Sequence, residues 1–440
     1  MSIQLTSTQV LAMAPDASSA SAAKKTANLK HWSQMGSNAG ALWGICQGSA
    51  SYQVKVDLTS LKATCTCPSR KLPCKHSLAL LLLAATEPDA LPEGEPPMWV
   101  ASWLQKRQAD SKLTKTDQPS SPSSQTAQAK RTEKRQALVS KGLDSLDLWL
   151  HDLVRNGLAS VQTQPASFWE SRAAQMIDAQ APGIANRLRN LAAIPNASRN
   201  WPEKLLFQLG LLAMLTDAYR RIDQLDSALQ DDVRQMIGWN LSQEEVAERG
   251  QTVTDEWLIL GQMVVDEDRL RVQRTWLLGK ESKRSALLLQ FSAAGTPFPE
   301  IYPLGTAQKA ELLFWPGAYP QRARIISRQG EAIPITTSLP GEEAIDNVLA
   351  KVASTLARQP WLERFLCVLH NATPILHNDS WYVRDSTGKA LPLAKGDYWQ
   401  MLALSGGHPI DLAGEWNGEN VLPLGMLSNQ TYYLLGRVLQ

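Results

Sequence analysis

Four side chains that bind soft metal ions lie within twelve consecutive positions of this chain. Cys65 and Cys67 are separated by one residue, and Cys74 and His76 follow a six-residue spacer, in a sequence with five cysteines and six histidines in total. Thiolate and imidazole are ligands that Zn²⁺ takes, and three sulfurs with one nitrogen fill a tetrahedral site without leaving a position for water. We therefore predict a structural zinc site at Cys65, Cys67, Cys74 and His76.

Two other uses of these cysteines fit the sequence less well. Disulfides would leave one of the five cysteines over, and the N-terminus lacks the basic start and apolar stretch of an export signal, so an oxidising compartment is not indicated. An iron–sulfur cluster favours four cysteines, whereas His76 stands in the fourth position. Cys46 and Cys367 are predicted to be ordinary buried cysteines, because free cysteine is among the residue types most often found inside proteins.

The sequence around the ligands predicts a ββα unit that brings them together. Residues 52–58 alternate like a half-buried strand, residues 61–67 can pair back on them, and residues 77–85 are an almost wholly apolar helical run. The first two ligands would share one face of a strand. The last two would span the loop and the first helical turn, because residues two apart on a helix do not face each other.

A Cys-x-Cys pair, a short spacer and a Cys-x-His pair in a ββα unit resemble the SWIM zinc finger. Four further segments extend the resemblance to stand-alone bacterial SWIM proteins of this length. These segments are Trp43-Gly44-Ile45-Cys46-Gln47-Gly48-Ser49, Cys67-Pro68-Ser69-Arg70-Lys71, the stretch from Trp257 to Trp276, and Leu404-Ser405-Gly406-Gly407-His408-Pro409. The resemblance implies a finger that binds nucleic acid or protein, and a genomic neighbourhood with MoxR-type ATPases and von Willebrand factor A proteins.

The zone around the finger is positively charged although the whole chain has a formal net charge of only +2. Between residues 58 and 86 the sequence has no acidic residue, and its basic side chains outweigh the single negative charge of a Zn²⁺ ion with three thiolates. Such a patch can neutralise phosphates. It can equally stabilise the thiolates and keep the surface soluble, so both interpretations stay open. The candidate contact residues are Lys62, Arg70, Lys71 and Lys75.

The length of 440 residues predicts several domains, and the residue patterns predict an α+β multidomain protein. Residues 1–107 would contain the finger, at about 50–87. Residues 108–139 have no aromatic side chain and an excess of Lys and Arg, which predicts a disordered basic linker. Helical periodicity then predicts a helical domain at 140–250. Short apolar runs predict a β-rich domain at 251–440, as a small barrel or curled sheet with one inserted helix at about 342–369.

The sequence contains no phosphate loop, no His-Glu-x-x-His helix and no Gly-x-Ser-x-Gly nucleophile turn. Its longest apolar run, residues 78–85, is too short to span a membrane. We therefore expect a cytoplasmic, non-enzymatic interaction protein without a small-molecule substrate, whose finger contacts nucleic acid or a protein partner. The alternative is a protein-only scaffold for a MoxR-type ATPase and von Willebrand factor A complex, in which zinc only stabilises the fold.

Overall fold

The computed structural model describes residues 5–48, 50–58, 63–69, 71–104, 122–195, 197–267, 270–293 and 296–435. Along the chain they form an N-terminal sheet with helices, a helical middle region and a β-rich C-terminal region. This order confirms the predicted α+β organisation with a finger at its N-terminal end.

The N-terminal sheet has four antiparallel strands in chain order, two more than the sequence predicts. Its last two strands pair as predicted, with Val54 opposite Cys65 and Val56 opposite Ala63. The two added strands contribute buried aromatic residues, Trp32 and Trp43, which give this small sheet more apolar surface to bury. The strands are β1 (Trp32–Ser37), β2 (Ala41–Gln47), β3 (Ser51–Asp57) and β4 (Ala63–Cys65).

Helix α3 (Lys75–Thr86) is buried on all its faces, as an all-round apolar helix must be. The sheet lies against it, and α1 (Ser7–Ala12) and α2 (Ala17–Thr26) also pack on it. Residues 98–104 form a further short helix, α4. Despite the apolar composition of α3, none of the helices in the described parts of the chain is both long and apolar enough to cross a bilayer.

The middle region packs its helices around a core of buried aliphatic and aromatic side chains. Leu143, Leu146, Leu150 and Leu153 recur at helical spacing and are buried, whereas the neighbouring Val154 is 47% exposed. The helices are α5 (Pro122–Arg155), α6 (Ala166–Asp178), α7 (Pro182–Leu191), α8 (Trp201–Arg220), α9 (Ser227–Ile237) and α10 (Gln243–Arg249).

Helix α5 begins inside the segment 108–139 for which the sequence predicts a disordered linker. Its first residue is Pro122, and residues 122–139 are helical, so the prediction of disorder is wrong there. This stretch is rich in Ala, Gln, Lys and Arg, which have high helix propensity, and a proline is tolerated in the first turn. Residues 108–121 of the predicted linker lie outside the described residues.

A closed five-stranded barrel follows the helices, within the predicted β-rich region. The strand order is β5-β6-β7-β9-β8, and the barrel closes through a short parallel pairing of β7 with β9, where Leu287 lies opposite Arg322. Trp257, Trp276 and Phe314 are almost fully buried. The strands are β5 (Gln251–Glu267), β6 (Leu270–Gly279), β7 (Ser285–Ala293), β8 (Thr306–Phe314) and β9 (Arg322–Pro334).

The last region is an antiparallel sheet of six strands in the order β12-β11-β10-β13-β14-β15. A hairpin at Asn417-Gly418 joins β13 to β14, and Gly418 takes a positive φ of 95°. The strands are β10 (Phe365–His377), β11 (Ser380–Arg384), β12 (Ala390–Pro392), β13 (Ile410–Trp416), β14 (Val421–Ser428) and β15 (Thr431–Leu434), and a short helix, α12 (Trp399–Ser405), precedes β13.

The helix predicted at about 342–369 is shorter than expected. Helix α11 spans Ile345–Arg358, and strand β10 begins at Phe365. Gln359 precedes Pro360, and a residue before proline disfavours the helical conformation, which explains the early end. Apolar residues beyond this point pair with β13 instead of continuing the helix.

Buried carboxylates connect the regions. Asp232 of α9 accepts a hydrogen bond from the Ala318 amide at 2.8 Å, in the loop between β8 and β9. Burial raises the pKa of Asp232 to about 6. Glu415 of β13 accepts a hydrogen bond from the Trp276 indole at 2.8 Å and pairs with Arg274 at 3.3 Å, which joins the six-stranded sheet to the barrel.

Candidate metal centre

The structure brings the four predicted ligands together at one end of α3. Cys65 is the last residue of β4, Cys67 lies just beyond the strand, Cys74 is the N-cap of α3, and His76 lies in the first turn. One ligand atom from each of the four lies within 4.8 Å of the others. Cys74 and His76 are thus divided between loop and helix as the sequence predicts. Cys67 differs from the prediction, because the strand that carries Cys65 ends before it.

Helix α3 begins at Cys74 because the cysteine sulfur takes the role of the capping oxygen. The Ser77 amide donates to the Cys74 sulfur at 3.5 Å, and Cys74 is 1% exposed. A hydrogen bond from the Cys65 thiol lowers the pKa of Cys74 to about 3, with smaller contributions from His76 and Ser77. The same hydrogen bond, together with burial, raises the pKa of Cys65. The hydrogen bond between the two cysteines thus favours a thiolate at Cys74, and the thiolate is the form that binds metal.

His76 is held in place by a neighbouring aromatic ring. Its ring stacks on that of Tyr52 with a centroid separation of 4.8 Å, and His76 is 5% exposed. Its Nδ1 atom lies 3.7 Å from the Cys65 sulfur. Tetrahedral bonds of ordinary length to Zn²⁺ would place a sulfur and a nitrogen about 3.6 Å apart. The donor types and their separations therefore fit Zn²⁺ without a large rearrangement.

The other two cysteines lie in cores, as predicted. Cys46 and Cys367 are 1% and 2% exposed, and neither belongs to the group of metal-ligand atoms. Burial raises the pKa of Cys46 to about 11 and that of Cys367 to about 12. Both thiols therefore stay protonated at neutral pH.

The structure describes two of the four residues of the predicted contact patch. Lys62 and Arg70 lie outside the described residues. Lys71 and Lys75 are both exposed beside the ligands, and both line a cavity of about 420 Å³ between the finger and α2.

Sequence reasoning missed two side chains that meet this patch. Asp16, the N-cap of α2, pairs with Lys71 at 2.7 Å and also accepts the Ser19 amide at 2.7 Å. These two contacts hold the pKa of Asp16 well below its usual range. Tyr52 lines the same cavity. The sequence indicates Asp16 only as a helix cap and Tyr52 only as a strand residue, because both contacts join separate segments.

Two family models match the chain. The model of the SWIM zinc finger matches residues 52–85, and that of the SWIM-associated four-helix bundle domain matches residues 134–237. No curated protein and no solved structure matches the chain.

The matched ranges agree with the geometry described above. Residues 52–85 contain most of β3, all of β4, the four ligands and most of α3, and residues 134–237 run from within α5 to the end of α9. The protein therefore carries a SWIM zinc finger, which binds structural Zn²⁺ through Cys65, Cys67, Cys74 and His76, followed by a SWIM-associated four-helix bundle domain.

Proposed function

We propose that the protein is a non-enzymatic interaction protein whose zinc finger contacts the phosphates of a nucleic acid through Lys62, Arg70, Lys71 and Lys75. The observation that carries this proposal is the exposure of Lys71 and Lys75 directly beside the ligand cluster. Salt-dependent attraction to phosphates needs only suitably placed lysines and arginines, so it requires no base-reading side chain.

The donor set supports a structural role for the metal. Three cysteines and one histidine complete a tetrahedral zinc site, whereas a catalytic zinc keeps one position for water or substrate. Zinc would fix the ligand loop and hold its lysines in place, and the chain's own basic side chains would make the contacts. The three thiols must stay reduced to bind zinc, which supports a cytoplasmic location.

The proposal is tested by fluorescence anisotropy of the zinc-loaded protein with labelled single-stranded DNA, duplex DNA and RNA over a range of salt concentrations. We expect binding that weakens with salt, and a loss of about tenfold or more at low salt in the double variant Lys71→Glu, Lys75→Glu, because two phosphate contacts become repulsive. Zinc content is measured in parallel to show that the finger is intact.

The matched control is the double variant Lys309→Glu, Lys395→Glu, which makes the same change of charge at two exposed lysines outside the finger. This control should bind like the wild type. Equal losses in the two double variants would mean that net charge and not the finger governs binding. Unchanged affinity in the Lys71, Lys75 variant, with zinc bound, would refute the proposed patch.

A second candidate function is a protein-only scaffold, and a different surface favours it. Helix α8 exposes large apolar side chains at helical spacing, with Leu206 50%, Phe207 64% and Met214 47% exposed. Exposed apolar patches often mark protein interfaces. The resemblance to bacterial SWIM proteins suggests a MoxR-type ATPase or a von Willebrand factor A protein as the partner. Isothermal titration with such a purified ATPase should then give binding that Phe207→Asp removes while zinc content stays unchanged.

A further inference from the structure

The cavity beside the finger is a cleft open to solvent that combines charge, hydroxyl groups and an aromatic ring. Its volume of about 420 Å³ lies within the range of roughly 300–1,000 Å³ that is usual for small-ligand sites. Two of the zinc ligands, Cys67 and His76, form part of its wall, so an ordered finger is needed to shape it. Other lining residues are Ser18, Ala22, Tyr52, Ser69, Lys71 and Lys75.

The two lysines in the lining favour an anionic ligand. Lys75 is exposed at the start of α3, and Lys71 reaches across to α2, where it pairs with Asp16. A phosphate that enters the cavity would lie near both ammonium groups and would compete with the Asp16 carboxylate for Lys71. The hydroxyl groups of Ser18 and Ser69, which hydrogen-bond to Asp16 and to the Lys71 carbonyl, also line the cavity and are of the kind that contacts phosphates.

Tyr52 adds an aromatic surface to the same cavity. Its stacking on His76 fixes the ring, since His76 is itself buried and part of the metal cluster. Aromatic side chains beside a positively charged groove are the usual means of binding single-stranded nucleic acid, because each base has a π-face that can contact a ring. The cavity therefore offers complementary surface to both a phosphate and a base.

We propose that this cavity binds one unpaired nucleotide of a single-stranded nucleic acid, with its phosphate at Lys71 and Lys75 and its base beside Tyr52. The inference rests on the proposed nucleic-acid contact and makes it specific for single strands. A duplex would have to extrude a base to fill the cavity, at the cost of breaking its pairing and stacking. Single strands present such a base without that cost.

The test uses the zinc-loaded full chain and compares a labelled oligothymidylate with the same strand in a duplex. We expect the single strand to bind about tenfold more tightly than the duplex, because the stacking of one base contributes about this much affinity. Two variants in α2 leave the zinc ligands untouched. Ser18→Glu places a carboxylate in the cavity at a helix N-terminus, where an acidic residue is compatible with the helix. Ala22→Trp fills the cavity without a change of charge.

We expect both variants to lower the affinity for the single strand about tenfold and to remove the preference over the duplex. Ser21→Glu is the matched control, because Ser21 is an exposed residue of the same helix that does not line the cavity. It should bind like the wild type. Ala22→Trp should leave the salt dependence unchanged, since no cation is lost, whereas Ser18→Glu should reduce it.

The outcomes separate the cavity from the wider proposal. Equal affinity for single strand and duplex, or equal behaviour of Ser18→Glu and Ser21→Glu, would overturn the nucleotide site. If the Lys71, Lys75 variant still weakened binding in that case, the finger's phosphate contact would stand. No binding to any nucleic acid would overturn both inferences. Binding of a polyglutamate peptide that Ser18→Glu removes, without nucleic-acid binding, would reassign the cavity to an acidic protein.

Discussion

The zinc finger and the helical bundle are held together in different ways. In the bundle, each helix buries one face, and large side chains such as Trp169 and Leu188 fix how the helices pack. In the finger, α3 is buried on every face, so its apolar residues give little information about its rotation or register. The four ligands supply what packing does not, because they tie the start of α3 to the end of β4 at a fixed distance. Burial thus selects the residues that lie inside, whereas the metal selects their arrangement.

The largest expected effect comes from removing one ligand. Cys74→Ser should release zinc and unfold the finger, because the binding free energy of structural zinc, about 10–16 kcal/mol in finger peptides, is coupled to folding. The bundle and barrel should keep their structure. Mass spectrometry under native conditions measures the zinc, and hydrogen exchange compares the amides of α3 with those of α7.

Cys46→Ser is the matched control for this variant. It makes the same change at a buried cysteine of the sheet that packs against α3, and this cysteine does not belong to the ligand group. We expect it to keep one zinc ion. If Cys74→Ser also kept a full equivalent of zinc, the assignment of Cys74 as a ligand would be wrong.

A core variant of the bundle should have a smaller effect, and this effect should fall on the bundle and leave the zinc finger unchanged. Leu188 in α7 is fully buried, and Leu188→Ala should destabilise the bundle by about 2–5 kcal/mol through lost burial and the cavity left behind. Zinc content should not change. Urea unfolding followed by circular dichroism measures the stability.

The exposed Leu206 in α8 provides the control for this substitution, and Leu206→Ala should change stability by less than about 0.5 kcal/mol. Loss of zinc from Leu188→Ala would contradict the separate stabilisation of finger and bundle, since it would mean that the two unfold as one cooperative unit.

The smallest expected effect concerns Asp232, at the contact between bundle and barrel. Its pKa in the folded state, about 6, lies above the ordinary value of 3.8, so the native state binds the proton more tightly than the unfolded state does. Proton binding by Asp232 therefore stabilises the folded state fully below pH 3.8, and this stabilisation is lost as the pH rises through about 6. Asp232→Asn should therefore be more stable than the wild type by about 1–3 kcal/mol above pH 6, and the difference should shrink towards pH 4.

Thermal unfolding at pH 4, 5, 6 and 8 measures this difference, with both proteins in the same buffers so that any release of zinc affects them equally. Asp178→Asn, at an exposed position in α6, is the control and should show little dependence on pH relative to the wild type. A stability difference for Asp232→Asn that stays constant across this range would show that its carboxylate is not destabilised by burial.

Local patterns predicted much of this molecule, including the ligand set, the apolar helix behind it and the β-rich character of the C-terminal region. They failed where a local preference competed with another signal or with distant pairing. The composition of residues 122–139 resembles a linker, yet the same residues have high helix propensity. Residues 365–369 continue an apolar run, yet they pair with β13 at positions more than forty residues away. The contact of Lys71 with Asp16 depends on tertiary packing and has no signature in either segment alone.

The strand arrangement of the C-terminal half also bears on the behaviour of the protein at high concentration. In the closed barrel, every strand pairs on both edges with another strand of the barrel. The open six-stranded sheet ends in two short strands, Ala390–Pro392 with three residues and Thr431–Leu434 with four, and the first of them contains a proline. Unpaired strand edges recruit strands of other molecules, and short edges that contain proline do so poorly. This half of the chain can therefore hold many strands with little tendency to aggregate edge to edge.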